Sequence, residues 1–471
     1  MSLEIIVLAA GRGTRMRSAK PKVLHALAGE PLLGHVLSTA RELQPGALHV
    51  VVGHGAEQVR EVLPDGDIHW VQQSEQLGTG HAVLQALPAI ADDSDVLVLY
   101  GDVPLLSSDT LRALVASGPA LLTAEMAQPA GYGRILRDAA GHLLAVVEDR
   151  DATETQRAIS EVNTGVLAMS AADLKTFLPE VGNANSQGEY YLPDVLLLAL
   201  ASGRHIGSVA AGSELDVLGV NDRGQLAVVE RELQRRRARE LMLAGVALAD
   251  PARIDIRGRL SCGSDVFIDV NTVFEGSVTI GEGSTIGPNC VLRDCEIGAH
   301  STVHAMSHLE MARVGQRCSV GPFARLRPGT RLADDARIGN FVETKKAGIG
   351  AGSKVNHLSY IGDSTLGDGV NIGAGTITCN YDGVQKHVTR IGDGVFVGSN
   401  ATLVAPLDIA NDGFVAAGST VTRNIAAGEL AVGRGRQRNI SGWHRPGAAR
   451  PGAPQPGTPQ PGAPTNDKEE S

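Results

Sequence analysis

The feature that most constrains the fold is a run in which an aliphatic residue returns every six positions. It reads Val314-Gly315, Val320-Gly321, Leu326, Leu332 and Ile338-Gly339, then Ile349-Gly350, Val355, Ile361-Gly362, Leu366-Gly367 and Ile372-Gly373, then Ile391-Gly392, Val397-Gly398, Leu403, Ile409, Val415 and Val421. A helix repeats its apolar face about every 3.6 residues and a lone strand about every 2, so neither fits. Short strands joined by tight turns do fit, each turn of chain resting on the one before, as in a parallel β-helix. Three hexapeptides make one flat-sided coil, with aliphatic side chains inside and glycines easing the corners. A flexible Gly-rich linker would not hold aliphatic phase from Val314 to Val421.

The phase breaks carry information as well. Val303 to Val314 is eleven residues and holds His304-Ala-Met-Ser-His308, and Ile338 to Ile349 is eleven again. Between Ile372 and Ile391 lies a larger insertion with Thr378-Cys-Asn-Tyr-Asp-Gly-Val384. Solenoid insertions are extruded as loops, commonly where ligands bind. Asn380, Tyr381, Asp382 and Gly383 read as a turn outside the core.

A chain of 471 residues should hold two or three domains. Only 3% aromatic content beside 57 Gly suits a core of Val, Ile, Leu and Ala. A net charge of −10 argues against general nucleic-acid binding while allowing local basic pockets for phosphates. The five Cys are scattered without zinc-knuckle spacing, which predicts a reducing compartment. There is no signal-peptide pattern and no apolar run of bilayer length, so a cytoplasmic protein without membrane insertion is expected.

The N-terminal part alternates strands and helices: strands at Leu3–Leu8, His49–Val52, Ile68–Gln72 and Val96–Tyr100, and a helix from His81. This is the grammar of a parallel α/β sheet, whose ligands sit at the carboxyl ends of strands. Ala9-Ala-Gly-Arg-Gly-Thr-Arg-Met16 follows the first strand. It is no dinucleotide fingerprint, because Met16 replaces the third Gly, and no Walker lysine pattern is present. Its glycines and arginines could hold phosphate oxygens, or be an ordinary turn with solvated arginines. Asp102, just past a central strand, stands where a magnesium ion bound to phosphates would need it, or it caps the following turn. Gln76-Leu-Gly-Thr-Gly-His81 is a further Gly-rich loop.

Leu8-Ala-Ala-Gly-Arg-Gly-Thr-Arg-Met16 with Pro21-Lys22-Val23-Leu24 resembles the signature of sugar-1-phosphate nucleotidylyltransferases. Gln73-Ser-Glu-Gln-Leu-Gly-Thr-Gly80, Tyr100-Gly-Asp-Val-Pro104, Gly131-Tyr-Gly-Arg134, Glu161-Val-Asn-Thr-Gly165 and Gln187-Gly-Glu-Tyr-Tyr191 narrow it. Joined to the hexapeptides, they resemble the bacterial bifunctional N-acetylglucosamine-1-phosphate uridylyltransferase/glucosamine-1-phosphate N-acetyltransferases, as far as about Trp443. Lys20 departs from the family, which more often has an apolar residue there.

The resemblance implies a Rossmann-like nucleotidyltransferase domain at 1–224, a linker helix at 225–245 and a left-handed parallel β-helix at 246–445; the Pro/Gly-rich tail at 446–471 departs from the family, and its composition predicts disorder. It implies UTP, N-acetylglucosamine 1-phosphate, glucosamine 1-phosphate and acetyl-CoA as substrates, magnesium as cofactor, and a homotrimer. By resemblance, Arg15 and Lys22 hold phosphates, while Asp102 and Asn221 hold magnesium. Leu8, Ala9, Ala10, Gly11, Gln73, Gln76, Gly78 and Thr79 seat the uridine, with Tyr100 and Gly101 also on the substrate. Gly133, Glu148 and Asn163 hold the sugar. In the acetyltransferase site, Arg327, Lys345, Tyr360, Asn371 and Tyr381 bind glucosamine 1-phosphate, while Ala374, Asn380, Ser399, Ala417 and Arg434 bind acetyl-CoA. His357 is the expected general base, with Glu343 and Asn380 both able to orient its imidazole.

Gln225–Gly245 is strongly helical by propensity. Its composition predicts few contacts and a solvated arginine face. An alternative reading is a nucleotidylyltransferase whose β-helix serves only assembly or regulation. His357 and the Asn380-Tyr-Asp insertion argue against it.

Overall fold

The computed structural model describes residues 2–11, 13–63 and 66–446. All but the first residue of the expected tail, and Arg12 of the first loop, lie outside the described residues.

The N-terminal sheet is built around Leu3–Ala9, which pairs in parallel with both Ala47–Val52 and Asp95–Tyr100. Ile68–Gln72 extends it in parallel beyond Ala47–Val52. On the other side the order changes: Glu161–Ser170 runs antiparallel between Asp95–Tyr100 and Ala120–Glu125, and Gly207–Ala210 closes that edge. The expected α/β alternation therefore holds for the first half and becomes a mixed sheet in the second. Helices cover both faces over two separate cores. That double cover explains the unbroken apolar strands, with Ile5, Ile6, Val7 and Val96, Leu97, Val98 fully buried. The helix expected from His81 begins at Thr79.

The C-terminal part is a parallel β-helix. Ile286, Val303, Val320, Ile338, Val355, Ile372, Val397 and Val415 stack in register up one face. Successive coils take 17 or 18 residues, three hexapeptides as expected, except the step from Ile372 to Val397. That coil carries the insertion, a small hairpin closed by a bridge between Tyr381 and Lys386. Asp382 shapes its turn by accepting from the amides of Val384 (2.8 Å) and Gln385 (2.7 Å), whereas Asn380 is buried at the base.

The glycines do not do what the pattern suggested. Those following the inward aliphatic residues mostly have ordinary backbone angles, and their role is close stacking. A Cβ at Gly339 would overlap the carbonyl oxygen of Asn356 on the next coil, and one at Gly350 would overlap that of Gly367. The left-handed corners are often held by other residue types. One column reads Asn271 (φ 59°), Asn289 (58°), Met306 (58°), Phe323 (56°), Phe341 (55°) and Leu358 (49°). Such angles are unfavourable for large side chains in isolation. Here most of these corner amides donate to the coil below, as from Met306 to Pro288 (3.0 Å) and Leu358 to Asn340 (3.1 Å). Stacking overrides local preference.

The linker helix, Arg223–Leu243, starts where Asp222 accepts from the Gln225 amide (2.9 Å). It stops at Gly245 (φ 93°), with the Val246 amide returning to the Leu241 carbonyl at 3.0 Å. The expectation of few contacts is wrong, and the solvated arginine face holds for Arg231, Arg235 and Arg239 but not for Arg236 and Arg237. Val229, with Leu226 and Leu233, completes an apolar cluster with Leu27, Leu32, Leu105 and Val220. Gln234 pairs with both backbone groups of Ile256 (2.8 and 2.9 Å), as a neighbouring strand would. Arg237 donates to the Ile256 carbonyl at 2.7 Å, and Arg236 to that of Leu105 at 2.9 Å while also pairing with Asp216. Glu230 accepts from the Ala28 amide at 2.6 Å. Composition counted the arginines but could not show their partners.

Candidate active sites

At the carboxyl ends of the central strands a cavity of about 540 Å³ is lined by Leu8, Ala9, Ala10 and Gly11, by Gln73, Gln76, Gly78 and Thr79, and by Lys22, Tyr100 and Asp102. Eleven residues singled out from sequence thus meet in one place. Val23, Ala82 and Glu189 complete the wall. Glu189 lies in the Gln187-Gly-Glu-Tyr-Tyr191 motif, whose signal was visible though no role was attached to it.

The polar geometry suits a nucleotide. Gln73 donates to the Gly78 carbonyl (3.2 Å) and Gln76 to that of Gln73 (3.3 Å), which fixes two amides at the cavity wall. The Lys22 ammonium pairs with the Asp102 carboxylate and reaches Asn221 Oδ1 at 3.2 Å. Two oxygen donors from distant parts of the chain thereby converge on one positive charge. That donor set fits a magnesium ion, which takes one or two protein oxygens and fills its other positions from phosphates and water. The Val220 amide donates to the Asp102 carbonyl at 2.9 Å, holding Asn221 in place.

The expected sugar residues form a neighbouring group. The Asn163 amide donates to the Gly133 carbonyl (2.8 Å), and its side-chain oxygen accepts from Gly165 (2.8 Å). Burial and then the nearby Asp194, Asp151 and Asp149 push the Glu148 carboxyl above its ordinary range. Burial also pushes the Tyr100 phenol well up. Gly101 sits beneath the cavity, its amide donating to Leu8 at 2.9 Å. Arg15 stands exposed on a single helical turn and forms no ion pair among the described residues. Lys20 is exposed too. Burial lowers the His25 pKa, and the charges of Arg223 and Lys20 lower it further.

On the β-helix, Arg327 pairs with Glu343 at 2.8 Å, which raises its pKa. Lys345 lies beside Lys386, whose ammonium pulls it below its usual range, with Arg327 and Asp363 acting on it as well. Tyr360 pairs in register with Glu343. Arg327, Lys345 and Lys386 thus form a cationic cluster suited to a phosphate. Lys386 was missed from sequence, since only the hairpin folds it back beside Lys345. Asn371 is not in this cluster. It lies on a different face, between Lys354 and Phe396 in register.

His357 stands exposed at the edge of the same region. Neither expected orienting residue touches it, because Glu343 is held by Arg327 and Asn380 donates to Asp363. Its Nδ1 faces Asn340 Oδ1 at 2.9 Å instead. Tyr381 donates to the Gly383 carbonyl (2.6 Å) within the hairpin. The residues expected on acetyl-CoA follow one another up the coils. Asn400 donates its amide to Ala374 (2.7 Å), Gly418 to Ser399 (2.8 Å), and the Arg434 guanidinium to Ala417 (2.8 Å).

Among the described residues no helix is long and apolar enough to cross a membrane. Residues 5–162 match the family model of the MobA-like NTP transferase domain, and 261–294 that of the bacterial transferase hexapeptide, six repeats. A protein of Marinobacter nauticus is 56% identical over 448 residues, covering 94% of this chain and 99% of the relative. One from Alkalilimnicola ehrlichii is 55% identical, covering 95% and 97%, and one from Pseudomonas entomophila 54%, covering 95% and 99%. All three carry the name Bifunctional protein GlmU. The chain belongs to the bifunctional GlmU family, transferases that join a nucleotidyltransferase unit to a hexapeptide-repeat acetyltransferase unit.

Proposed function

We propose that the β-helix site acetylates glucosamine 1-phosphate from acetyl-CoA, and that the N-terminal site then joins the product to UTP, giving UDP-N-acetylglucosamine and pyrophosphate for cell-envelope synthesis in the cytoplasm. The observation that supports this most is the presence of two separate cation-bearing groups in one chain, Lys22 with Asp102 and Asn221 in the N-terminal cavity, and Arg327 with Lys345 and Lys386 on the β-helix. We divide the chain at 1–224, 225–245, 246–445 and 446–471.

In the first reaction the 2-amino nitrogen attacks the thioester carbonyl. A C–N bond forms, the C–S bond breaks, and the amine gives its proton to His357, which returns it to the departing thiolate. Arg327, Lys345, Lys386 and Tyr360 hold the sugar phosphate. Ala374, Ser399, Ala417 and Arg434 hold the donor, with Asn380 and Tyr381 between. In the second reaction a phosphate oxygen of the sugar attacks the α-phosphorus of UTP, and the bond to the β-phosphate breaks. Positioning and charge neutralisation dominate such chemistry. Leu8 to Gly11, Gln73, Gln76, Gly78 and Thr79 seat the nucleotide. Gly133, Glu148 and Asn163 hold the sugar, and Arg15 and Lys22 meet the phosphates. Asp102 and Asn221 would hold magnesium, which would supply further positive charge against the phosphate oxygens.

The chain acts as a homotrimer in this reading. Asn371 lies on a different face from Arg327 of its own chain, and the exposed corner of Met306, Phe323, Phe341 and Leu358 offers an apolar seam for a second copy.

Separated activities test the reading. Asp102→Asn should lower uridylyl transfer by ~10²–10³ and spare acetyl transfer, as removal of a single electrostatic group typically does. His357→Ala should lower acetyl transfer by ~10²–10⁴ and spare uridylyl transfer. Loss of both activities in either variant would refute two independent sites.

A further inference from the structure

A general base must present a bare ring nitrogen to its substrate. A neutral imidazole has one N–H and one lone pair, and whichever nitrogen donates elsewhere decides which remains free. In His357 the occupied nitrogen is Nδ1, 2.9 Å from the side-chain oxygen of Asn340. No partner reaches Nε2 among the described residues.

Asn340 is built to hold that position. It pairs in register with His357 on the adjacent coil, and its backbone carbonyl accepts from the Leu358 amide at 3.1 Å. The preceding Gly339 lets the two coils approach closely, because any Cβ there would overlap Asn356. One half-buried asparagine therefore takes two donors from the neighbouring coil, one from the backbone and one from the ring. Glu343 and Asn380, the two residues expected to orient the ring, are engaged by Arg327 and Asp363.

We infer that Asn340 is the positioning residue of the acetyltransferase site: its amide oxygen holds His357 in the Nδ1–H tautomer and aims Nε2 at the substrate amine. This rests on the general-base reading of His357. Asn340 itself touches no reacting atom. Its contribution is the orientation of the ring and the identity of the free nitrogen, as with the buried partners that orient catalytic or metal-bound histidines.

Three variants of the full-length chain test it. Asn340→Ala should lower kcat for acetyl transfer by about 10–100-fold with KM for glucosamine 1-phosphate and acetyl-CoA little changed. Asn340→Asp should restore most of the rate, since a carboxylate accepts from the same N–H. It should also move the acidic limb of the pH profile upward, because a negative charge beside the ring favours the imidazolium. The other charged groups on the packed strands, Arg337, Lys354, Glu343 and Asp363, stay the same in all variants. Asn340→Leu, similar in size but unable to accept, should behave as the alanine variant. Histidine-labelled ¹⁵N spectra should show Nδ1 protonated in the wild type and a tautomer mixture in Asn340→Ala. Far-ultraviolet circular dichroism and the thermal midpoint of each preparation report that the β-helix is folded, and uridylyl transfer reports the same for the N-terminal unit. Wild-type kcat and an unchanged tautomer in Asn340→Ala would overturn the inference while leaving the base reading intact. Wild-type acetyl transfer in His357→Ala would overturn the base reading itself. A rise in KM alone would make Asn340 a substrate-binding group and also refute the inference.

Discussion

At the scale of single residues, stacking geometry rather than local preference decides what is tolerated. Gly339→Ala should destabilise the β-helix by roughly 1–3 kcal/mol, the usual cost of overpacking, seen as a lowered thermal midpoint. The same substitution at Gly418, which has a positive φ but open space around it, would cost through backbone strain alone. The thiols of Cys290 and Cys295 are buried and pushed up to about 11, so alkylating reagents should modify them at neutral pH only after unfolding. Glu148 makes a pH prediction. Its carboxyl is raised, so it begins to take up a proton at a higher pH than an ordinary glutamate. A protonated carboxyl loses acceptor strength toward sugar hydroxyls. KM for N-acetylglucosamine 1-phosphate should therefore rise as pH falls toward the acid side, and Glu148→Gln should flatten that dependence. The partner of His357 was not legible in the sequence because it lies 17 positions back, one coil below, whereas the motif placed Glu343 and Asn380 beside it.

At the scale of elements, the core-facing phase was readable because one inward aliphatic residue per hexapeptide leaves a strict period. The N-terminal strands were readable for a related reason, since burial on both faces makes unbroken apolar runs. The linker helix was readable as a helix but not as a clamp. Its amphipathicity is carried by paired polar groups, Gln234 on Ile256 and Arg236 on Asp216 and Leu105, which composition scores as solvated. Fragments ending at 225 and at 243 should both perform uridylyl transfer, since every residue of that cavity precedes both cuts. The longer one keeps Leu226, Val229 and Leu233 over Leu27, Leu32, Leu105 and Val220. It should melt roughly 5–10 °C higher, the effect of a few kcal/mol on a domain this size. Equal midpoints in calorimetry would mean the helix is a passive spacer.

At the scale of the whole molecule, the two sites lie on units that touch through the helix and through the turn at Gly29, which lies against Arg257. The apolar corner of Met306, Phe323, Phe341 and Leu358 sets the assembly prediction. Phe341→Asp should shift the sedimenting species from trimer toward monomer and depress acetyl transfer by at least ~10-fold, with uridylyl transfer unaffected. A carboxylate in the centre of such a seam would be buried without a partner. A trimer that persists with full acetyl transfer would place the contact elsewhere. The β-helix itself sets a further condition. Because Ile286 and Val303 occupy equivalent rungs, excision of residues 286–302 joins two equivalent points of the repeat and leaves every remaining coil in phase. The distance between the two catalytic centres would shrink by one rung, about 4.8 Å, with neither pocket disturbed. Separation in this architecture is therefore quantised, and any relative with a shorter or longer reach must differ by whole rungs.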